Sequence, residues 1–131
     1  MVQDKFGYKK LSVFNNSYHL ALKIHQISKS FPESEKYLLI SQIRRSSRSV
    51  SANIAEAYGK RRYLKNFISK LTDADGEVGE TILWLDFALD FEYITRIQHA
   101  NLVQDYHEIG KMIGGMMKHP DKFLPRNLKT K

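Results

Sequence analysis

Hydrophobic positions recur at spacings of three and four residues over most of this chain, which is the period of an amphipathic helix. Little of the chain alternates between apolar and polar residues as a half-buried strand does. The pattern predicts four helices, which extend over residues from about 11 to 30, from about 33 to 59, from about 63 to 91, and from 95 to about 119. Pro32, Gly59 and Pro120 fall where three of these segments end, as expected for residues that terminate helices.

The third and fourth segments carry the most regular signals. In the third, a coiled-coil-like seam is formed by Phe67, Leu71, Ala74, Val78, Ile82, Leu85 and Leu89. In the fourth, Thr95 followed by Gln98 matches a capping box, which marks a helix start. The connections are short, and short connections favour antiparallel neighbours. We therefore expect an all-α fold, an antiparallel up-and-down four-helix bundle, with one domain over residues 1–131 and a core from about 11 to 119.

The chain is basic, with a formal net charge of +7 and an isoelectric point near 9.6. The charge is separated into blocks. Residues 41–70 contain eight Lys and Arg residues and one acid, whereas residues 71–92 contain seven acids and no Lys or Arg. A strongly basic protein commonly meets an anionic partner such as nucleic acid. The two blocks could also neutralise each other inside an assembly.

The sequence lacks the patterns that mark catalytic and metal-binding sites. Without cysteine, the chain has no disulfide, thiolate zinc site or cysteine nucleophile. It contains no Glu-x-x-His pair of the kind that builds a di-metal centre in a helical bundle, and no glycine-rich phosphate loop. The histidines lack metal-ligand spacing, and the serines between residues 46 and 51 have no evident base partner. We therefore expect no catalytic residue, no metal and no cofactor, and a protein that is not an enzyme.

The distribution of apolar residues also bears on location. No stretch of about 18 apolar residues is present, so we expect no membrane-spanning helix. Residues 1–10 are polar and lack the apolar centre of a signal peptide. The absence of cysteine fits a reducing compartment. We expect a cytoplasmic protein without a membrane partner.

The second helix carries the densest positive charge. At about 100° per residue, Arg44, Arg45 and Arg48 lie opposite the apolar stripe, within about a quarter turn. One interpretation is a phosphate-binding surface, because lysine and arginine supply most contacts to nucleic-acid backbones. Its candidate residues are Arg44, Arg48, Lys60, Arg61 and Arg62. The alternative is a solvated face, or ion pairs with acids of the third helix, namely Asp73, Glu77 and Glu80.

Small and polar residues form a separate line on the second helix, beside its apolar stripe. The line consists of Gln42, Ser46, Ser49 and Asn53. Small side chains let helices approach closely, and buried Asn or Gln side chains need hydrogen-bond partners. We therefore expect this line to form a contact between helices or between subunits.

The same region resembles a known family, the four-helix-bundle proteins encoded within intervening sequences of bacterial 23S ribosomal RNA genes. That family includes accessory proteins of diversity-generating retroelements. Its core reads approximately Gln-Ile-x-Arg-(Ala/Ser)-x-x-Ser-(Ile/Val)-x-x-Asn-Ile-Ala-Glu-Gly. The matching residues here are Gln42, Ile43, Arg45, Ser46, Ser49, Val50, Asn53, Ile54, Ala55 and Glu56. Later in the pattern, Gly59 and Arg61 stand near a Gly-Arg element, and further elements are matched by Phe67, Ala74, Gly76 and Glu80.

The chain departs from the family pattern at three places. Ala57, Asn66 and Glu77 stand where the family commonly has glycine, glutamate and serine. The resemblance covers about residues 11–117 and implies an antiparallel four-helix bundle that assembles as a ring-like homopentamer. The retroelement relatives have a basic surface and bind nucleic acid and the reverse transcriptase. With the small polar line, the motif implies helix or subunit contacts by Gln42, Arg45, Ser46, Ser49, Asn53, Glu56 and Gly76.

Two functional hypotheses follow from these residues and from the resemblance. The first is a non-enzymatic, oligomeric nucleic-acid-binding protein, for RNA or an RNA–protein complex, that uses the basic surface of the second helix. The second is a protein-interaction scaffold, for example a reverse-transcriptase accessory subunit, whose basic and acidic blocks pair in assembly. In that case an exposed face with Trp84 and Phe87 would recruit the partner. An enzyme with a pocket inside the bundle is a third and weaker alternative.

Overall fold

The computed structural model describes residues 6–125 and contains four long helices in that range. The helices are α1 (Ser12–Ser28), α2 (Leu39–Gly59), α3 (Leu64–Asp90) and α4 (Arg96–Lys118). Short 3₁₀ turns cover Tyr8–Lys10, Glu33–Glu35 and Pro120–Phe123, and no strand occurs among residues 6–125. The all-α fold is therefore confirmed. No helix of the described chain is both long and apolar enough to span a membrane.

Side-chain contacts between helices show the up-and-down order. Ser17 Oγ of α1 lies 2.9 Å from Ser51 Oγ of α2, while Arg44, nearer the start of α2, bonds Ser28 at the end of α1. The start of α2 likewise meets the end of α3, and the start of α4 meets the end of α3 through His99. Each helix thus runs antiparallel to the one before it, as the bundle prediction required.

The core lies between the four helices and is built from the predicted apolar faces. The side chains of Ile24, Ile54, Phe67 and Ile113, one from each helix, are at most 1% exposed. Tyr106 is also fully buried, and this burial raises the pKa of its hydroxyl. Burying such side chains supplies the main favourable contribution to folding.

The buried seam of α3 departs from the predicted seam after Val78. Phe67, Leu71, Ala74 and Val78 are buried as the pattern predicts. Farther on, Thr81 and Ala88 are fully buried, whereas the predicted seam residues Ile82 and Leu89 are only half-buried. Leu85 is fully buried as predicted, so the buried residues keep alternating spacings of four and three, as in a heptad repeat, whereas the predicted seam has two successive spacings of four around Val78.

The second helix begins later than the sequence pattern predicts. The pattern starts it near residue 33, whereas Glu33–Glu35 form a separate turn and Leu38 leaves the helical region at φ −117° and ψ −102°. Glu35 Oε1 accepts a hydrogen bond from the backbone N of Leu39 at 3.4 Å, and its Oε2 accepts one from the Tyr93 hydroxyl at 2.9 Å. A carboxylate fixed in this way satisfies a free N–H at the start of α2, so the helix begins there.

The other helix ends follow the expected chemistry closely. The capping box is confirmed, because Thr95 Oγ1 accepts from the backbone N of Gln98 at 3.1 Å and Gln98 Oε1 accepts from the backbone N of Thr95 at 2.9 Å. The end of α3 uses a residue that the sequence did not single out. Glu92 adopts a left-handed conformation at φ 65°, and the backbone N of Tyr93 then bonds the carbonyl of Ala88 at 2.8 Å, which closes the last turn.

Candidate nucleic-acid interface

The three arginines of α2 separate onto two sides of the helix. Arg45 lies on the side that faces α3, while Arg44 and Arg48 lie on the side that faces α1. The sequence pattern grouped all three opposite the apolar stripe. The neighbouring helices therefore decide what each guanidinium does.

Arg45 is committed to an ion-pair cluster with α3. Its Nη1 lies 2.9 Å from Glu77 Oε2, its Nη2 bonds Glu80 Oε2, and its Nε donates to Gln42 Oε1 at 3.2 Å. The hydrogen bond to Glu80, followed by the charges of both carboxylates, raises the pKa of Arg45. For Arg45, the structure therefore shows ion pairs with the third helix, one of the alternatives to phosphate binding that the sequence left open.

Arg44 and Arg48 face α1, where they meet no carboxylate among the described residues. Arg44 is half-buried, and its Nε donates to Ser28 Oγ at 2.8 Å. Arg48 is exposed, and its Nη2 lies 3.2 Å from His25 Nδ1. Burial, together with the positive charges of Arg44, Lys29 and Arg48, lowers the pKa of His25. Arg44 therefore joins two helices, whereas Arg48 presents its guanidinium to solvent.

The end of α2 gathers the remaining predicted cations. Arg61 donates from Nη1 to the carbonyl of Tyr58 at 2.9 Å, and its Cζ lies 4.1 Å from the centroid of the Tyr58 ring. Lys10 approaches the same ring, with Nζ 5.8 Å from the centroid. Lys60 and Arg62 are exposed and make no ion pair with any residue in the range 6–125. The structure thus adds Lys10, which the sequence did not single out, to the predicted cluster.

The cluster lies where α1 and α3 begin and where α2 and α4 end. We call this region the basic end and define it by Lys10, Lys60, Arg61, Arg62, Lys65, Lys118 and Lys122. One acid, Asp121, lies among them. Cations also stabilise the carboxyl ends of α2 and α4 through the helix dipole, so part of this arrangement serves the fold.

The five predicted phosphate-binding residues do not form one patch. Arg44 and Lys60 are 16 residues apart in the sequence, which corresponds to about 24 Å along a helix. The groups Arg44–Arg48 and Lys60–Arg62 are therefore separate, and only the second belongs to the basic end.

The residues predicted to form helix or subunit contacts fall into two groups. Ser46 is fully buried and accepts a hydrogen bond from Thr81 Oγ1 of α3 at 2.8 Å, so it joins α2 to α3. Glu56 also joins α2 to α3, at the surface, where its Oε2 lies 3.0 Å from Lys70 Nζ. These are contacts within one chain.

Asn53 and Ser49, by contrast, form no hydrogen bond with a neighbouring helix within residues 6–125. Asn53 Nδ2 donates to the carbonyl of Ser49 at 2.9 Å, a bond within α2, and Ser49 is half-buried. Gly76 is exposed, and a Cβ built on it meets nothing within 4 Å. Gly76 therefore lies on the outer face of α3. A subunit contact stays a prediction.

A second surface lies near the end of α3 and is aromatic. The ring centroids of Trp84 and Phe87 are 5.8 Å apart, and those of Phe87 and Phe91 are 5.9 Å apart. Phe87 and Phe91 are exposed, as are Leu83 and Leu38. Trp84 is half-buried, so it is less accessible than the sequence suggested, and its indole Nε1 has no hydrogen-bond partner among the described residues.

Some other titratable side chains form pairs at the surface. His99 Nε2 lies 2.7 Å from Asp86 Oδ1, and Lys111 Nζ lies 3.3 Å from Glu108 Oε1. Within residues 6–125, no three His, Asp or Glu side chains come together in a group that could hold a metal ion. The exposed chemistry of the described chain is thus dominated by the basic end and the aromatic surface.

The fold and its surface together define a small all-α bundle protein with a cluster of cations at one end. The sequence model of a family described as 23S rRNA-intervening sequence protein matches residues 9–115, which is most of the chain. The chain therefore belongs to the 23S rRNA-intervening sequence protein family.

Comparison with solved structures supports the same assignment. The chain is similar to a protein with unknown function from the S23 ribosomal protein family of Bacteroides thetaiotaomicron VPI-5482, whose crystal structure is known. The two share 34% sequence identity and a TM-score of 0.73, and the match covers 81% of this chain and 95% of the other. A comparison with curated proteins finds no match.

Proposed function

We propose that this protein is a non-enzymatic nucleic-acid-binding protein that contacts RNA phosphates through its basic end. The observation that carries the proposal is the exposure of Lys60 and Arg62 without an ion-pair partner in the described chain, beside Arg61 and Lys10. Unpaired cations can neutralise phosphates and release counterions at little desolvation cost. Arg45, by contrast, is neutralised by its own chain and takes no part.

The ligand class is RNA in this proposal because the family description names an rRNA intervening sequence. We further propose a homo-oligomer, as the resemblance to relatives implies, since several copies of one modest basic end would bind a long RNA with high avidity. A cytoplasmic location belongs to the same proposal, because the RNA target would be there.

The test is a salt titration of binding to a labelled structured RNA and to duplex DNA, with protein of known oligomeric mass. The informative variant is Lys60→Ala with Arg62→Ala, since neither side chain forms an ion pair within residues 6–125 that the fold would lose. We expect RNA affinity near 0.1 M salt to fall roughly 10- to 100-fold and the slope of log K against log salt to decrease by about 2.

The matched control removes the same charge from the opposite end of the bundle. Lys29 and Arg96 are also exposed cations without an ion pair in residues 6–125, so Lys29→Ala with Arg96→Ala changes net charge equally. Equal losses in both double variants would mean that net charge alone attracts RNA, and the site assignment would then be wrong. No binding of wild-type protein at low salt would contradict the proposed function itself.

A second function, a protein-interaction scaffold, is favoured by the aromatic surface. Phe87 is 42% exposed and Phe91 is 52% exposed, which is unusual for neighbouring rings on a soluble bundle. The variant Phe87→Ser tests it, because the side chain supports little of the core. If the oligomeric mass decreases, this surface contacts another copy; if the mass and RNA affinity are both unchanged, the surface is free for a different protein or has no role.

A further inference from the structure

A groove between α1 and α2 stands apart from the sites already described. Its volume is about 530 Å³, within the range of roughly 300–1,000 Å³ that is typical of small-ligand sites. Phe14, Tyr18 and Leu22 of α1 form one wall, and Ala52 and Ala55 of α2 form the other. The two alanines leave the space open, because their side chains are too short to fill it. Tyr18 and Leu22 are each 50% exposed.

The aromatic wall of the groove is a continuous ladder of rings. Tyr8 meets Phe14 edge-on, with centroids 4.6 Å apart and an interplanar angle of 69°. Phe14 in turn stacks on Tyr18, with centroids 6.0 Å apart and an angle of 29°. The Tyr18 ring also meets His19 edge-on, with centroids 6.1 Å apart, so ring contacts on α1 hold the half-exposed Tyr18 ring in place. A fixed, half-exposed ring is a platform on which another flat ring can stack.

The charge around the groove is positive. None of the residues that line it within the described chain is acidic, and Arg48 makes no ion pair in residues 6–125. Tyr8, at one end of the groove, belongs to the turn that also holds Lys10, whose Nζ lies 5.8 Å from the Tyr58 ring centroid. The groove thus leads directly into the basic end.

We propose that this groove takes an unpaired base of single-stranded RNA, such as a loop, whose backbone runs from Arg48 to the basic end. The inference rests on the proposed function and specifies its ligand. Aromatic side chains bind unstacked bases, and neighbouring cations follow the phosphates. A base inside a duplex is already stacked on both faces, so a duplex can use the basic end but not the groove.

The experiment compares a short labelled single-stranded RNA, the blunt duplex of the same sequence and the equivalent DNA strand at one salt concentration. Tyr18→Leu keeps apolar volume but removes the ring, and Tyr37→Leu is the matched control, since Tyr37 is an exposed tyrosine remote from the groove. We expect Tyr18→Leu to weaken single-stranded RNA binding about tenfold or more. The affinity for the duplex should stay the same. The slope of log K against log salt should also stay the same, because the substitution removes no phosphate contact.

A crosslinking experiment would show directly which residues contact the RNA. A single-stranded RNA that carries 5-iodouridine should crosslink to Tyr18 or Tyr8 under ultraviolet light, and mass spectrometry of the peptides would locate the adduct. Arg48→Gln should weaken the binding of single-stranded RNA. It should also reduce the slope of log K against log salt by about 1, because a phosphate contact is removed.

The outcomes separate the two proposals. If neither RNA binds wild-type protein, the proposed function fails and this inference fails with it. If both RNAs bind but Tyr18→Leu behaves like Tyr37→Leu, only the base site is overturned. A decrease in oligomeric mass in Tyr18→Leu would overturn it as well, since a second copy would then cover the groove. Equal affinity for the DNA strand would overturn the assignment to RNA.

Discussion

Helix α2 has two flanks with opposite electrostatic surroundings. On the flank that faces α3, Arg45 is held by Glu77 and Glu80, and Glu56 is held by Lys70. On the flank that faces α1, Arg48 meets a histidine, and no carboxylate of the described chain pairs with it. Both flanks belong to the most basic segment of the sequence, yet only one remains positively charged after folding.

The difference shows that position in the bundle, rather than residue type, determines which cations are available. The acidic block of α3 neutralises the flank of α2 that it touches, within one chain. One hypothesis from the sequence was that the basic and acidic blocks pair between subunits. Arg45 and Glu56 do not need a second subunit, because their ion-pair partners lie on α3 of the same chain. Arg48, Lys60 and Arg62 are exposed and pair with no carboxylate within residues 6–125.

The largest expected effect is the loss of close packing on the flank facing α3. Ser46 is fully buried against Thr81, so Ser46→Leu should overfill this contact and lower the free energy of unfolding by about 1–3 kcal/mol. Ser49, one turn farther along, is half-buried, and Ser49→Leu should change stability by less than about 0.5 kcal/mol. Urea denaturation of both variants measures the difference. Equal losses would mean that both serines are packed alike; a change in oligomeric mass for Ser49→Leu would place it in a subunit contact.

A smaller effect should separate the two arginines. Arg45→Ala leaves Glu77 and Glu80 next to each other without their cation. It should lower the free energy of unfolding by about 1 kcal/mol, since an exposed ion pair contributes at most about that much. Arg48→Ala removes no ion pair and should cost less than about 0.5 kcal/mol. Thermal unfolding at low and high salt checks both, and the Arg45 difference should shrink at high salt because ion pairs are screened. A larger cost for Arg48 would contradict the distinction between the flanks.

The smallest effect concerns acid sensitivity on the flank facing α1. Burial and the nearby cations lower the pKa of His25 below its ordinary value of 6.5, so the unfolded chain takes up this proton more readily than the folded one. The contribution of neutral His25 to stability is therefore complete above about pH 6.5 and is lost as the pH falls below that value. His25→Asn should flatten the decrease in melting temperature between neutral and mildly acidic pH. His107→Asn, at an exposed position of α4, is the matched control substitution.

Much of the fold follows from the sequence because helical periodicity and helix caps are local. The pattern placed four helices, and the Thr95 capping box is present as predicted. The start of α2 could not be found in this way, since it depends on the distant contact between Glu35 and Tyr93. The later seam of α3 was misplaced for a related reason, because the partner helices select which side of a straight helix is buried.

The candidate site was predictable in part. The sequence marked the cluster of Lys60, Arg61 and Arg62, but it missed Lys10, which is far away in the chain and arrives beside Tyr58 only through the antiparallel order. The α1–α2 groove was missed as well, because its walls come from helices whose residues looked separately like ordinary amphipathic faces.

By itself the sequence determined that the chain forms four helices, that positive charge concentrates on α2 and at its end, and which family it resembles. Tertiary structure decided which of those charges are free. Periodicity specifies the direction of a side chain around its own helix axis, but a charge is neutralised or left free by the residues it faces across an interface. Those residues come from distant parts of the chain, so Arg45 forms ion pairs and Arg48 forms none within the described chain, although they lie one turn apart.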